Sequence, residues 1–190
     1  MNYPSSPISS INPSEYIDNP CPDFTGTYEA VGRLIDGDTT RSAGTTRLFT
    51  WIFPLTDPTS WNDIRLGYRR DKNGIISRFP DFAIVEQLSP RAVRITIGYK
   101  DHVIGTFKSN YEDADMFVCK GGKLMSGGAD KITSYSEWGP NHSGQRDALY
   151  EDGGGNIIYE IHDYVHMTWL GIVPTGTAKY HAKYLFKKLK

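Results

Sequence analysis

Glu160, His162 and Tyr164 alternate along NIIYEIHDYVHMTW, residues 156–169, so an extended backbone puts all three on one side. A carboxylate beside an imidazole is the commonest device for moving a proton near neutral pH, and the phenol adds a third protonatable group. The opposite side carries Ile157, Tyr159, Ile161, Asp163, Val165, Met167 and Trp169. A lone carboxylate among such neighbours costs several kcal/mol or changes its protonation. Asp163 must therefore find a partner, Arg146 or Arg94 being available, or serve as a functional carboxylate inside a cavity. Which side is interior stays open at this level. Asp163, His162, Glu160 and Arg47 are the candidate catalytic groups.

Arg47 belongs to this set because it opens RLFTWIF (47–53), where Phe49, Trp51 and Phe53 share its face in an extended reading. Glu86 stands similarly among Phe82, Ile84 and Leu88, and Glu29 beside Val31. Charges at core-facing positions are tolerated when paired or useful. An Arg47–Glu86 or Arg47–Asp163 pair would anchor a ligand, or would be a buried structural ion pair. The wall around such an anchor would come from Trp51, Phe49, Tyr159, Tyr164, Glu86, Tyr180 and Tyr184. Aromatics make up 13% of the chain, with 12 tyrosines, and these rings suit both ligand pockets and strand packing.

Metal and covalent chemistry find less support. Glu160 and His162 stand about 6.6 Å apart on one face and could join one site, but His166 lies about 13 Å beyond His162. The H-x-H spacing of cupin-type sites is missing, so no metal and no cofactor is expected. No H-E-x-x-H, phosphate loop, G-x-S-x-G elbow or dinucleotide fingerprint occurs. The clusters Gly127-Gly128 and Gly153 to Gly155 read as turns, because no helix follows them. Cys119, in MFVCK, reads as a buried inert thiol.

The elements that must position these groups are strands. FTGTYEAVGR (24–33) alternates and is broken by glycines, like a bent strand. Asn73-Gly74 marks a hairpin inside IRLGYRRDKNGIISRF. Ser89-Pro90-Arg91 separates FAIVEQL from AVRITIGY, and Gly121-Gly122 breaks MFVCKGGKLM. A second hairpin runs from 146 to 169 and turns at Gly153-Gly154-Gly155. In AKYHAKYLFKKL, Tyr180, Ala182, Tyr184 and Phe186 form a dry face and Lys179, His181, Lys183 and Lys187 a wet one. Residues 55–63, with Pro58 at a first-turn position, admit one short helical turn. Roughly eight to ten short strands with Gly-rich turns predict an all-β fold: a single antiparallel up-and-down β-barrel, lipocalin-like or allene-oxide-cyclase-like, over 23–190. Residues 1–22, rich in Ser, Pro and Asn, read as a flexible N-terminal arm.

A formal net charge of −1, from 21 basic and 22 acidic residues, lacks the electrostatic footprint of a nucleic-acid binder. No apolar run approaches a membrane span, and the N-terminus lacks the pattern of a secretory signal. Cys21 and Cys119 form no C-x-x-C pair. The expectation is a cytoplasmic protein with reduced thiols; a homodimer is left open.

Residues 122–160 contain G-G-A-D at Gly127, Gly128, Ala129 and Asp130, then D-A-x-Y at Asp147, Ala148 and Tyr150. An acidic-Gly turn follows at Asp152 and Gly153, then I-Y at Ile158 and Tyr159. This stretch, about a fifth of the chain, resembles the domain-of-unknown-function family 3237, small bacterial and fungal proteins with a β-barrel similar to allene oxide cyclase. The segment between Ala129 and Asp147 is longer than in that family, the C-terminal part is shorter, and nothing before about residue 85 has a counterpart. The resemblance brings no catalytic residues with it. It implies a cofactor-independent cyclase or isomerase that folds a hydrophobic small molecule, such as a secondary-metabolite intermediate, in a barrel cavity. A lipocalin-like carrier and a sugar- or protein-binding β-module are the rival readings; FTGTYE is a poor match to the G-x-W first strand of lipocalins.

Overall fold

The computed structural model describes residues 20–37, 46–54, 58–111, 117–127, 131–136, 139–169 and 173–190. The strands are β1 (Gly26–Glu29), β2 (Val31–Gly37), β3 (Thr46–Leu48), β4 (Arg69–Arg70), β5 (Ile76–Arg78), β6 (Phe82–Ser89) and β7 (Ala92–Tyr99). They continue with β8 (His102–Asn110), β9 (Phe117–Lys120), β10 (Lys123–Gly127), β11 (Lys131–Ser136), β12 (Gly139–Glu151), β13 (Ile157–Trp169) and β14 (Val173–Phe186). Among the described residues the α-helix α1 (Pro58–Leu66) begins at the proline whose missing N–H costs nothing in a first turn.

The expected all-β class holds. The expected barrel is met only as far as a curled half-barrel. Its strand order is β3-β2-β14-β13-β12-β10-β9, all antiparallel, with β11 also pairing β12. Among the described residues no ladder joins the end strands β3 and β9. A separate four-stranded sheet, β1-β6-β7-β8, and the small β4-β5 ribbon make up the rest. Inward residues of both larger sheets meet in one core that includes Val85, Ile95 and Phe107 from one side and Leu149, Tyr159, Tyr184 and Phe186 from the other.

Turn chemistry sets the hairpins. Lys120 pairs with Lys123 around Gly121 (φ 57°) and Gly122 (φ 71°), two successive left-handed residues in a two-residue connection. The Asp71 carboxylate accepts the Asn73 and Ile75 amides at 2.8 and 2.9 Å, which tightens the β4-β5 turn. Between β12 and β13, Asp152 Oδ1 accepts the Gly154 and Asn156 amides at 2.8 and 2.9 Å. Gly105 lets α1 approach β8, since a Cβ there would meet Ile64 at 2.8 Å.

The structure departs from the sequence reading in two places. RLFTWIF is not one strand: after β3 the backbone makes a 3-10 turn over Phe49–Trp51. Phe49, Ile52 and Phe53, at positions i, i+3 and i+4, all bury while Trp51 turns outward at 48% exposure, so core packing overrides the two-residue alternation. The thiols expected to be reduced are joined instead: Cys21 and Cys119 form a disulfide with Cα atoms 4.9 Å apart. Of the arm expected over 1–22, only residues 20–22 are described, and Cys21 ties that piece to β9.

The chain end links the two sheets. Beyond β14, Lys188 bridges Tyr28 of β1. The Glu29 amide donates to the Lys187 carbonyl (2.9 Å), and the Leu189 amide donates to the Thr27 carbonyl (2.6 Å).

Candidate functional site

The register of β12, β13 and β14 decides which side of residues 156–169 faces in. Tyr159 lies between Leu149 and Tyr184, Ile161 between Asp147 and Ala182, and Asp163 between Gln145 and Tyr180. Ile157, Tyr159, Ala182 and Tyr184 are buried in the main core. The Tyr159–Asp163 side is therefore core-facing, and Glu160 and His162 lie on the opposite face.

A polar relay crosses the core-facing side. Arg47 Nη2 donates to Tyr159 Oη at 3.0 Å, and that hydroxyl donates to Asp147 Oδ2 at 2.7 Å. Gln145 Nε2 donates to both Asp147 oxygens, at 2.9 and 2.8 Å. Arg47 reaches this position because β3 pairs with β2 and sets it opposite Gly32. Its guanidinium carbon lies 5.1 Å from the Tyr159 ring centre and 5.9 Å from that of Trp51. Burial raises the Asp147 pKa; the bonds from Tyr159 and Gln145 and the Arg47 charge work against that rise without cancelling it, and the Asp163 charge adds to it. Burial also pushes the Tyr159 phenol far up, helped by the Asp147 charge, so it stays a neutral donor. Arg47 Nε is buried and makes no hydrogen bond to any described residue. A carboxyl with a raised pKa, wired through a phenol to a cationic donor, is a stronger base than an ordinary surface aspartate and is a candidate proton carrier.

The second constellation lies on the opposite face. His162 Nε2 is 2.9 Å from Glu160 Oε1, and His181 Nε2, on the neighbouring strand, is 3.4 Å from the same oxygen. Lys183 Nζ stands 3.7 Å from it, and Tyr150 Oη donates to Glu160 Oε2 at 3.2 Å. Burial works to raise the Glu160 pKa, but the His162 bond and the Lys183 charge outweigh it, and the net shift is downward. Burial and the Glu160 charge push the Tyr150 phenol up to about 12.

The other expected residues fall as follows. Phe49 and Tyr184 are core, with the Phe49 ring 5.3 Å from Phe186 and 5.5 Å from Phe53. Trp51 flanks Arg47 and is half exposed. Tyr180 sits beside Asp163 in register. The backbone of Tyr164 lies between Gly144 and Lys179, and its side chain is outside the described residues. Glu86 lies on the four-stranded sheet, exposed, with Arg94 Nη1 at 3.5 Å, so the expected Arg47–Glu86 pair is replaced by Arg47–Tyr159 and Glu86–Arg94. Arg146, considered as a partner for Asp163, is in register with His162 and so belongs to the other side of the sheet. Asp147, Gln145 and His181 join the two constellations without having been expected there. The β12-β13 hairpin would have placed Asp147 opposite Ile161 by counting back from its turn, whereas no pattern in the sequence set the β13-β14 register.

A shallow cleft of about 370 Å³ lies elsewhere, lined by Cys21, Asp23, Gln87, Leu88, Ser89 and Pro90, and shares no residue with either constellation. Among the described residues no helix is long and apolar enough to cross a membrane. No family model, no curated protein and no solved structure matches this chain.

Proposed function

We propose that the core-facing side of the half-barrel binds a small, mainly apolar molecule and transfers a proton on it, as a cofactor-independent isomerase or cyclase. The observation that supports this reading is the Arg47–Tyr159–Asp147 relay, polar groups set into an otherwise apolar wall with an unused donor at Arg47 Nε. Asp147 would act as the base, because its raised pKa brings it toward the pH at which it must work. Arg47 would stabilise the oxygen on which negative charge develops. Trp51 at the rim and the aromatic wall would hold the substrate in one geometry, which lowers the barrier by limiting wasted motion. Asp163, in register with Gln145 on the neighbouring strand, keeps a second carboxylate nearby.

The Cys21–Cys119 bond favours an oxidising compartment over the cytoplasm, since such bonds persist where thiols are not continually reduced.

The test uses lipophilic enolisable ketones in D2O. Deuterium uptake at the carbon next to the carbonyl is followed by NMR, and binding by the change in tryptophan fluorescence on adding ligand, with Trp51→Phe identifying the share due to Trp51. Uptake that disappears in Asp147→Asn while binding stays would support the isomerase. Binding without uptake would turn the reading into a carrier. Neither would leave a surface-binding module, and the proton-transfer proposal would be dropped.

A further inference from the structure

We propose that Glu160, His162 and His181 form a binding site for one divalent transition-metal ion of the zinc class. The site lies on the face opposite the Arg47 relay and does not depend on the function proposed for that relay.

The three ligand atoms lie within 4.8 Å of one another. A tetrahedral ion with bonds of about 2.0–2.1 Å needs ligand atoms roughly 3.3 Å apart. Two of the three separations, 2.9 and 3.4 Å, already bracket that figure. Two imidazole nitrogens with one carboxylate oxygen suit zinc, cobalt or iron, and exclude a preference for calcium or magnesium, which favour all-oxygen sets. The frame is stiff: Glu160 and His162 alternate on β13, and His181 is the direct cross-strand neighbour of His162 on β14, with ring centres 4.8 Å apart.

The surroundings match what a metal site needs behind its ligands. Tyr150 holds the second Glu160 oxygen, which leaves Oε1 turned toward the histidines. Asp36 Oδ2 stands 4.0 Å from His181 Nδ1, the ring nitrogen not facing Glu160, beyond direct hydrogen bonding but close enough for a small side-chain rotation to bring it into the outer-shell position that metal-bound histidines use. The His181 side chain is 14% exposed, His162 29% and Glu160 14%, so an ion would be partly sheltered yet reachable by water at its fourth position. Lys183 Nζ supplies the positive charge in the metal-free protein. Its side chain is 30% exposed, so the ammonium can swing into water when an ion arrives.

The full chain, stripped with a chelator, is titrated with Zn2+ by calorimetry and with Co2+ by visible absorption, while Zn2+ is also added to histidine-labelled protein for NMR. One ion per chain is expected, with the ring signals of His162 and His181 moving and that of His102 unmoved. His181→Ala and Glu160→Gln should weaken binding by more than about 100-fold, and Tyr150→Phe by about tenfold. Lys183→Met should tighten it, because the competing cation is gone. Zn2+ binding that persists in His181→Ala, or that leaves the two ring signals where they were, overturns the site, as does no binding at millimolar Zn2+. The NMR measurement needs no variant, so it decides the matter even if a substituted chain fails to fold.

Discussion

Reducing the Cys21–Cys119 bond should remove a large share of the stability of this chain. The two residues are 98 apart in sequence, and the loop they close contains β1 to β8 and the helix. In the chain-entropy treatment, closing a loop of that length withdraws about 16 cal/mol/K from the unfolded ensemble, or about 4.7 kcal/mol at 25 °C. Denatured chains retain some structure, so the observable loss is expected to be about 3–5 kcal/mol. With a urea slope of about 2 kcal/mol/M for a chain of this size, the midpoint should fall by about 1.5–2.5 M when dithiothreitol is present. The Cys21→Ala/Cys119→Ala protein is the second arm. Cys119 is only 2% exposed, so that variant adds a small packing loss of about 1 kcal/mol to the covalent one. The two arms together separate the bond from the void. A thiol count on unfolded, unreduced protein must read zero. A midpoint shift worth less than about 1 kcal/mol, with the thiol count at zero, would refute the loop-closure reasoning; titratable thiols would show that the bond is not formed.

Two further substitutions test packing and turn chemistry. Gly32→Ala should destabilise by about 1–3 kcal/mol in urea unfolding, because a Cβ at that position would lie 2.6 Å from the fully buried Phe186 ring; a neutral result would show that the ring has room to move. Asp152→Ala should cost about 1–2 kcal/mol at pH 7, since its carboxylate accepts from Asn156 and the Gly154 amide in the β12-β13 turn. The Asn156 side-chain bond lowers the Asp152 pKa, so its contribution is present above the unfolded value near 4 and lost as pH falls through the lower folded value. The gap between Asp152→Ala and the parent chain should therefore close on acidification below about pH 4.

Local signals in the sequence carried the hairpins and little beyond them. Gly121-Gly122, Asn73-Gly74 and Gly153 to Gly155 each marked a real turn, because left-handed backbone conformations restrict which residues can sit there. The dry side of the alternation held at Ala182, Tyr184 and Phe186 and the wet side at Lys179 and Lys187, but His181, expected on the wet face, is only 14% exposed at its side chain. Long-range pairing was not legible. His181 read as one more residue of a wet face, and only its register with His162 makes it a neighbour of Glu160. The aromatic neighbours of Arg47 mark it in the sequence, yet its partner Tyr159 is 112 residues away and reads there only as part of a hydrophobic wall. The 3-10 turn at Phe49–Trp51 leaves no distinct mark in the sequence, because seven residues satisfy a period of two and a period of three to four about equally well. The disulfide depends on two backbones meeting 98 positions apart, which composition does not reveal.

The bonds between residues 187–190 and β1 give the last few residues an influence out of proportion to their number. Through them, β14 of the curled sheet ends as a neighbour of the four-stranded one. Neither sheet can loosen at that seam without pulling on the other, so heat or denaturant should melt both in a single step rather than one after the other. An affinity tag fused directly after Lys190 would crowd this seam, and a spacer would let the two layers stay zipped.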